Sequence, residues 1–269
     1  MCNTLIIRGI SDIWSKHNHM YSTNLTDSQW EGMANFFDLK RKRAYSLRRI
    51  VDAIMYVSKT GVQWHMQPKD FPPYGITFYY FSKWKRSGLW QKILLHLTKQ
   101  VRIKTGKGED PTTIIIDSQS VKNSERGVNE KGFDGHKKIQ GRKRHLATDS
   151  NGRLLSCVVG PANEHDLPAA KRLISQIVEL ELPKVAFLVA DGAYTGLIKW
   201  AKDNFKLEVH ISKQIKEQGF IPVAHRWKVE RFISWMMWSR RLSKDYELTV
   251  ESSQAWVMIH GIRNALGIL

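Results

Sequence analysis

The stretch that decides the fold is Ile114-Ile115-Ile116-Asp117-Ser118-Gln119-Ser120-Val121-Lys122, where a β-branched run ends in an acid and then in small polar residues. The continuous apolar run at 112–116 predicts a short strand buried on both faces, since a strand with one wet face would alternate. Such a strand lies inside a sheet. Its carboxyl end places Asp117 in the crevice where open α/β sheets carry their chemistry. An isolated carboxylate there is costly, so we expect a positive partner for it.

The charge of the chain indicates a polyanionic partner. The chain has 269 residues, of which 42 are Lys or Arg and 25 are Asp or Glu, giving a formal net charge of +17. An excess of this size points most often to nucleic acid and less often to an acidic membrane surface. No apolar run approaches the roughly 18 residues of a membrane span. Cys2 and Cys157 form neither a metal-binding spacing nor a disulfide framework, so we expect a reducing cytoplasm.

The first hundred residues predict an arm followed by a small all-α domain. Residues 1–22 show no periodicity and are interpreted as an arm, whereas 23–101 carry helical patterns that begin with a capping box at Thr26 and Gln29. One interpretation is a DNA-binding module with a helix in the major groove and Lys and Arg on phosphates. The other is a helical bundle with a solvated basic surface. The candidate DNA contacts in this region are Arg41, Lys42, Arg43, Lys83, Lys85 and Arg86.

The rest of the chain predicts an α/β domain at 112–269, separated from the helices by a polar linker at 102–111. Apolar runs predict a mixed five-stranded sheet flanked by helices, while the segment 124–141 is Gly-rich and basic and is assigned no strand. Two helices are predicted to close the chain, at about 223–241 and 252–266. The predicted strands are 112–116, 144–148, 154–159, 185–191 and 207–211.

Two of these strands end in a carboxylate, Asp117 and Asp191. If the strands are parallel neighbours, both acids emerge at one edge of the sheet, where they would repel unless a divalent cation lay between them. Mg²⁺ suits such a site because it prefers oxygen ligands. We expect a third acid, Glu230, from a helix that is apolar on most sides and therefore largely buried. Three such acids support in-line displacement at phosphorus with two metal ions.

Each acid also has an ordinary structural interpretation. Asp117 could cap the next turn, and Asp191 with Gly192 could be only a turn. Glu230 could be the ion-pair partner of Arg226, which lies four residues earlier. Each of these is the commoner situation taken alone. The three acids together, in a strongly basic chain, favour the metal site.

Eight blocks along the chain resemble, in order, those of the DDE transposases of the bacterial IS-five insertion-sequence family. They extend over nearly the whole of 25–266, which makes the resemblance specific. The blocks are LTDSQW (25–30), TGVQW (60–64), PKDFPP (68–73), IDSQSVK (116–122), GRKRH (141–145), ADGAY (190–194), RWKVER (226–231) and RRLSKDYE (240–247).

The resemblance implies an RNase H-like DDE catalytic core at 112–269, with Asp117, Asp191 and Glu230 as its metal-binding triad. It implies cleavage at the ends of a transposable element and strand transfer into target DNA, with Mg²⁺ as the cofactor and Mn²⁺ able to replace it. The implied partners are double-stranded DNA, as terminal inverted repeats and as target, and a second copy of the chain, since two ends must be brought together. The implied location is the bacterial nucleoid. The alternatives are a repressor derived from a transposase, without catalysis, and a nuclease that cuts without joining.

The chain departs from the family pattern at two places. The family usually has Tyr three residues before its signature Arg, where this chain has Val223, and a basic residue after the Glu helix, where it has Met237 and Trp238. We expect these departures to affect efficiency or the positioning of DNA ends. The further candidate DNA contacts are Lys122, Lys137, Lys138, Arg142, Lys143, Arg144, Arg226, Arg240, Arg241 and Lys244.

Overall fold

The computed structural model describes residues 21–124, 128–212 and 227–269. Nearly all of the predicted arm at 1–22 lies outside these residues. The helices are α1 (Asp27–Ala34), α2 (Leu47–Thr60), α3 (Tyr74–Arg86), α4 (Leu89–Lys104), α5 (Asp166–Val178), α6 (Leu197–Phe205), α7 (Trp227–Met236), α8 (Arg240–Ser243) and α9 (Val250–Leu266). The strands are β1 (Thr113–Lys122), β2 (Gly132–Asp134), β3 (Ile139–Asp149), β4 (Leu154–Pro161), β5 (Phe187–Asp191) and β6 (Glu208–Ser212).

The N-terminal helices begin and end at residues with clear local causes. The Thr26 side chain accepts a hydrogen bond from the Gln29 backbone, and the Gln29 side chain accepts one from the Thr26 backbone, which confirms the predicted capping box. Helix α2 ends at Gly61, whose φ of 69° is in the left-handed region. A Cβ at Gly61 would also meet Arg240 at 3.1 Å, so this helix end packs directly against α8.

The sheet is mixed, with β1 at its centre. β1 pairs antiparallel with β3 and parallel with β5, and β6 continues the parallel side beyond β5. β4 pairs with most of β3, and the short β2 pairs with the start of β3. Three consecutive antiparallel strands, followed by two parallel strands reached through helices, form an RNase H-like core.

The sheet has six strands where the sequence predicted five. The additional strand, β2, lies in the Gly-rich basic segment 124–141, to which no strand was assigned. It has three residues, and its hydrogen bonds come from Ile139, Gln140 and Gly141 after a turn that includes Lys138 at a φ of 52°. A strand this short has too few residues to show periodicity.

β1 is longer than predicted. It runs on through Asp117 to Lys122 because β3 remains its partner along the whole stretch, from Ile114 opposite Asp149 to Lys122 opposite Gly141. The parallel pairing with β5 ends much earlier, at Ile115 opposite Val189. Asp117 is therefore not at the end of the strand. It lies just beyond the point where β1 loses its hydrogen bonds to β5.

The two faces of the sheet belong to two hydrophobic cores. Ile114 and Ile116 face α5 and α6, whereas Ile115 faces the larger core formed with α7, α9 and the N-terminal helices. The larger core is continuous because α9 is buried on most of its surface and contacts both α4 and β4. The predicted helical domain at 23–101 therefore shares its core with the α/β part of the chain.

The boundary region at 102–111 is only partly a linker. Arg102 belongs to α4, and its guanidinium makes a buried ion pair with Asp149 at 2.7 Å. The same side chain donates to the carbonyls of Gly108, Glu109 and Asp110, so it fixes the connection between the helices and the sheet. Within the described segments, no helix is both long and apolar enough to cross a bilayer.

Candidate active site

The structure places Asp117 and Asp191 on neighbouring strands, on the same face of the sheet. Ile115 is opposite Val189 in the parallel register, and each acid follows two residues later on its strand. Since side chains alternate along a strand, both carboxylates share the face of Ile115 and Val189, the face that α7 covers. Both acids are partly exposed. The structure thus brings these two predicted residues together.

Backbone hydrogen bonds orient both carboxylates. Asp117 Oδ1 accepts from the Ser118 N–H at 2.7 Å, and Asp191 Oδ1 accepts from the Ala193 N–H at 3.0 Å, where it caps the 3₁₀ turn Gly192–Tyr194. The turn interpretation of Asp191 is therefore correct. It does not exclude a role as a ligand, because a carboxylate has two oxygens and about four lone-pair sites.

Tyr194 is a buried neighbour of both acids that the sequence did not single out. Burial raises the pKa of its phenol, and the carboxylates of Asp166, Asp117 and Asp191 raise it further, because a phenolate beside them would be repelled. A hydrogen bond with Ser118 acts in the opposite direction. The phenol therefore stays protonated. Its position at the end of the predicted ADGAY block was the available signal.

Glu230 lies on an exposed side of α7, which corrects the prediction of a largely buried helix. The buried side of this helix is formed by Val229, Phe232 and Met236. The apolar residues Trp227 and Trp238, at its two ends, face solvent instead. The prediction failed because composition shows how apolar a helix is, whereas burial depends on which side meets the sheet.

The flank of α7 that carries Glu230 is the one next to the acids. Glu230 and Met237 are seven residues apart, close to two helical turns, so they lie on the same flank. The Met237 sulfur is 3.2 Å from the Gln119 amide nitrogen, and Gln119 shares the sheet face of Asp117. The opposite flank carries Arg231, which donates to the Asn151 carbonyl in the β3–β4 turn. The helix therefore presents Glu230 on the same side as Asp117 and Asp191.

The chemistry of these donors suits a divalent metal ion, since Mg²⁺ prefers hard oxygen ligands and takes few of them from protein. Asp117 and Asp191 fit this requirement as a pair. Across 21–124, 128–212 and 227–269, however, no three His, Cys, Asp or Glu side chains lie close enough together to hold a metal ion. A three-carboxylate site therefore requires Glu230 to move towards the strand acids.

Two arginines predicted to contact DNA are instead buried in the larger core. Arg142 is fully buried and donates to Asp245 at 3.3 Å and to several backbone carbonyls, among them Glu247 at 3.0 Å. Arg144 is also buried and donates to the Leu242 carbonyl at 2.8 Å. Both side chains stand on one face of β3, where the segment 242–247 covers them, so these alternate residues of the GRKRH block point into packed protein.

Two further predicted contacts are occupied within the protein. Arg241 is buried and pairs with Glu247 at 2.6 Å, and Lys143 is buried and pairs with Asp166 at 3.1 Å. Both cations already have a carboxylate partner, so neither is available to a phosphate without breaking an ion pair.

The other predicted cations are distributed over the surface. Arg43 pairs with Asp38, and Lys85 donates to the Ser252 hydroxyl at 2.9 Å. Arg226 and Val223 lie outside the described residues. The exposed ones are Arg41, Lys42, Lys83, Arg86, Lys122, Lys137, Lys138, Arg240 and Lys244.

A polar cluster on the other face of the sheet was also missed. The Ser118 hydroxyl lies 3.4 Å from Asp166, the first residue of α5, and Asp166 accepts from Lys143. His145 is buried beside them, and this burial lowers its pKa to about 4. The sequence NEHD, which ends at Asp166, was the available signal for this residue. An acid at that place is first explained by the start of a helix, so it was not predicted as part of a site.

Comparison with known proteins identifies the family. A model described as the transposase DDE domain matches residues 108–265, and one described as a putative transposase of the IS4/5 family matches residues 25–94. A putative transposase for insertion sequence element IS402 from Burkholderia cepacia is 29% identical over an alignment of 128 residues, and the match covers 44% of this chain and 60% of that protein. The chain therefore spans less than two thirds of that relative.

A solved structure, the crystal structure of the Mos1 strand transfer complex, aligns with 85% of this chain and with 79% of its own chain, at 9% sequence identity. The TM-score of this alignment is 0.26, which is too low to support a conclusion about this protein. The match to the transposase DDE domain does support a conclusion, because it covers more than half of the chain and includes Asp117, Asp191 and Glu230. The predicted family is confirmed: this chain belongs to the DDE transposases of the IS4/IS5 type.

Proposed function

We propose that this protein is the transposase of an insertion sequence, which binds the terminal inverted repeats of its element and catalyses DNA cleavage and strand transfer. The observation that carries the proposal is the position of Asp117 and Asp191, each two residues beyond the last paired residues of adjacent parallel strands, inside a transposase DDE domain. A pair of partly exposed carboxylates on one sheet face is suited to metal-assisted chemistry on a phosphodiester.

Asp117, Asp191 and Glu230 would hold the Mg²⁺, with Mn²⁺ as a substitute, since DDE transposase domains are generally dependent on a divalent metal. When bound, the metal supplies Lewis-acid polarisation of the attacking and leaving oxygens. The strand acids are the preorganised part of the site, because the Ser118 and Ala193 N–H groups fix their carboxylates. Glu230 is the adjustable part, because α7 carries it on an exposed flank.

Tyr194 keeps the space behind the acids neutral. Its phenol stays protonated beside Asp117 and Asp191, so it adds no third negative charge to a site that already concentrates them. The phenol also fills the core under the 3₁₀ turn that Asp191 caps, which holds the end of β5 in place.

The proposed partners are double-stranded DNA, as terminal repeats and as target, and a second copy of the chain on that DNA. The net charge of +17 supports a polyanionic partner, and the exposed lysines and arginines give phosphates accessible contacts. Joining an element to a new site requires both of its ends at once, which is the reason to expect at least a dimer.

The test is cleavage of a duplex that carries the DNA flanking this gene, with Mg²⁺ or Mn²⁺, by the full chain and by Asp117→Ala. We expect metal-dependent cutting at the element boundary, reduced roughly a thousand-fold or more in the variant, because loss of a metal ligand removes several kcal/mol of transition-state stabilisation. Asp203→Asn, an exposed acid on α6, is the matched control and should cut normally.

Two outcomes would contradict the proposal. Tight binding of the ends with no metal-dependent cutting would favour a repressor that kept the fold without the reaction. Cutting that survives in Asp117→Ala would mean that the chemistry lies elsewhere in the chain.

A further inference from the structure

A second charged surface lies on the flank of α7 that faces away from the acids. A depression of about 450 Å³ opens there between α2, α7, α9 and the start of β4, and Lys59, Arg153 and Arg263 line it. Trp235 and Trp238 form its aromatic wall, and none of its lining residues within the described segments is an acid. We refer to Lys59, Arg153, Arg231, Arg240, Arg263 and Trp238 as the Trp238 surface.

The cations of the Trp238 surface repel one another. Burial lowers the pKa of Lys59, and the charges of Arg263 and Arg240 lower it further. Burial likewise lowers the pKa of Arg153, with Arg231 contributing and Asp149 opposing. Burial also lowers the pKa of Arg263. Bringing these charges together is unfavourable in the free protein, and an anion would relieve it.

Aromatic rings pack against these cations and enlarge the surface beside them. The Arg231 guanidinium lies between the rings of Trp227 and Trp235, at 4.6 and 4.7 Å from their centres. The same arginine donates to the Asn151 carbonyl, so its position is fixed. Trp238 is 69% exposed although it is the largest kind of apolar side chain, and Lys59 donates to its carbonyl at 3.2 Å. Guanidinium and ammonium groups held in this way suit phosphate oxygens, which accept hydrogen bonds from both.

We propose that the Trp238 surface binds the phosphate backbone of a DNA duplex, separate from the DNA at the acids. This inference rests on the proposed function and adds a second DNA-contacting face, on the other side of α7. A symmetric contact with a second copy is disfavoured, because an isologous interface would place these cations against their own copies. The charge fits a polyanion, and the contributing residues come from α2, the β3–β4 connection, α7, α8 and α9, so the surface joins both halves of the chain.

The test measures binding of the full chain to a 30-base-pair duplex by fluorescence anisotropy, between about 50 and 200 mM salt. The variant Lys59→Gln/Arg263→Gln removes two charges while keeping hydrogen-bond donors. We expect the slope of log affinity against log salt to fall by roughly 2, because each lost phosphate contact removes about 0.9. The control Lys199→Gln/Lys202→Gln removes two exposed charges from α6, on the other side of the sheet, and should leave the slope unchanged.

A second variant guards against a folding defect in the first. Arg240 is exposed, so Arg240→Gln should keep the fold and lower the slope by about 1. An unchanged slope in both variants, or an equal fall in the α6 control, would overturn the inference. If the unmodified chain binds DNA steeply while these variants do not differ from it, only the Trp238 surface fails. If the unmodified chain shows no salt dependence, the proposed function fails with it.

Discussion

The acids of the candidate site and the buried arginines Arg142 and Arg144 lie on the same face of one sheet, yet their exposure to solvent is opposite. Asp117 and Asp191 remain partly exposed. Arg142 and Arg144 are buried around Asp245, whose second oxygen accepts from the Ser253 hydroxyl at 2.5 Å. The first group can bind something from outside the protein. The second is buried and already bonded to groups of the protein itself, so it contributes to holding the protein together.

The position of each strand in the sheet causes this difference. β3 is paired along both edges, and the segment 242–249 supplies the carboxylate and carbonyls that meet Arg142 and Arg144, so the charges on β3 are neutralised from within. β1 loses its hydrogen bonds to β5 after Ile115, so the sheet opens at Asp117 and Asp191. In this sheet, a charged residue remains accessible where the neighbouring strand ends and is buried where the neighbouring strands continue past it.

The largest expected effect concerns the exposed acids of the candidate site. Glu230→Gln should reduce DNA cleavage roughly a thousand-fold or more while changing DNA affinity less than about twofold, because this acid would bind metal and not phosphate. Cleavage and duplex binding measured on the same preparation test this. Glu31→Gln, an exposed acid on α1, is the control. Loss of cleavage and binding together, with a lower unfolding midpoint, would show that Glu230 supports the fold.

Substitution in the buried group around Arg142 and Arg144 should lower the free energy of unfolding. Asp245→Asn leaves the Arg142 charge, and with it Arg144, without its buried carboxylate, and breaking a buried pair in this way costs about 3–5 kcal/mol. Urea unfolding measures the loss. In Arg172→Gln the lost pair with Glu164 is half-exposed, so we expect a change below about 1 kcal/mol. Equal effects of the two substitutions would remove the distinction between buried and exposed charge.

A third expectation uses a buried histidine of the larger core. Burial lowers the pKa of His260 to about 3, and the charges of Arg263, Lys59 and Arg144 add to this, while Ser239 contacts its Nδ1. The unfolded chain would take up a proton near pH 6.5 and the folded chain would not. Stability from this residue is therefore complete above about pH 6.5 and is lost as the pH falls towards 3, by at most about 1.4 kcal/mol per pH unit.

His260→Gln should flatten the decline of the urea midpoint between pH 7.5 and 5. His136→Gln, at an exposed position, should leave the decline as it is in the unmodified chain. A decline that persists unchanged in His260→Gln would mean that other groups cause the acid sensitivity.

Local pattern was enough to predict the family, most of the helices and the place of Asp117 and Asp191 on two strands, because apolar runs, caps and motif blocks are properties of neighbouring residues. The single helix predicted at about 223–241 is wrong in one respect, since α7 ends at Met236 and a separate helix, α8, begins at Arg240. It did not predict what depends on distant pairing. Residues 118–122 are too polar to read as a buried strand, and they form one because β3 lies beside them. Arg142 and Arg144 read as a basic run beside Lys137 and Lys138, and only the alternation of β3 inside a closed sheet separates them.

The smallest expected effect tests the difference between exposed and buried cations within one basic stretch of the sequence. Lys137 is exposed in the turn before β3, five residues from the buried Arg142. If it contacts a phosphate, Lys137→Gln lowers the salt slope of DNA binding by about 0.9 and changes stability by less than about 0.5 kcal/mol. Arg142→Gln should do the reverse, with a large loss of stability, because its carbonyl and carboxylate partners would be left unpaired in the core. A salt slope that falls in folded Arg142→Gln but not in Lys137→Gln would mean that the core arginine reaches DNA after all, and that β3 opens when the protein binds.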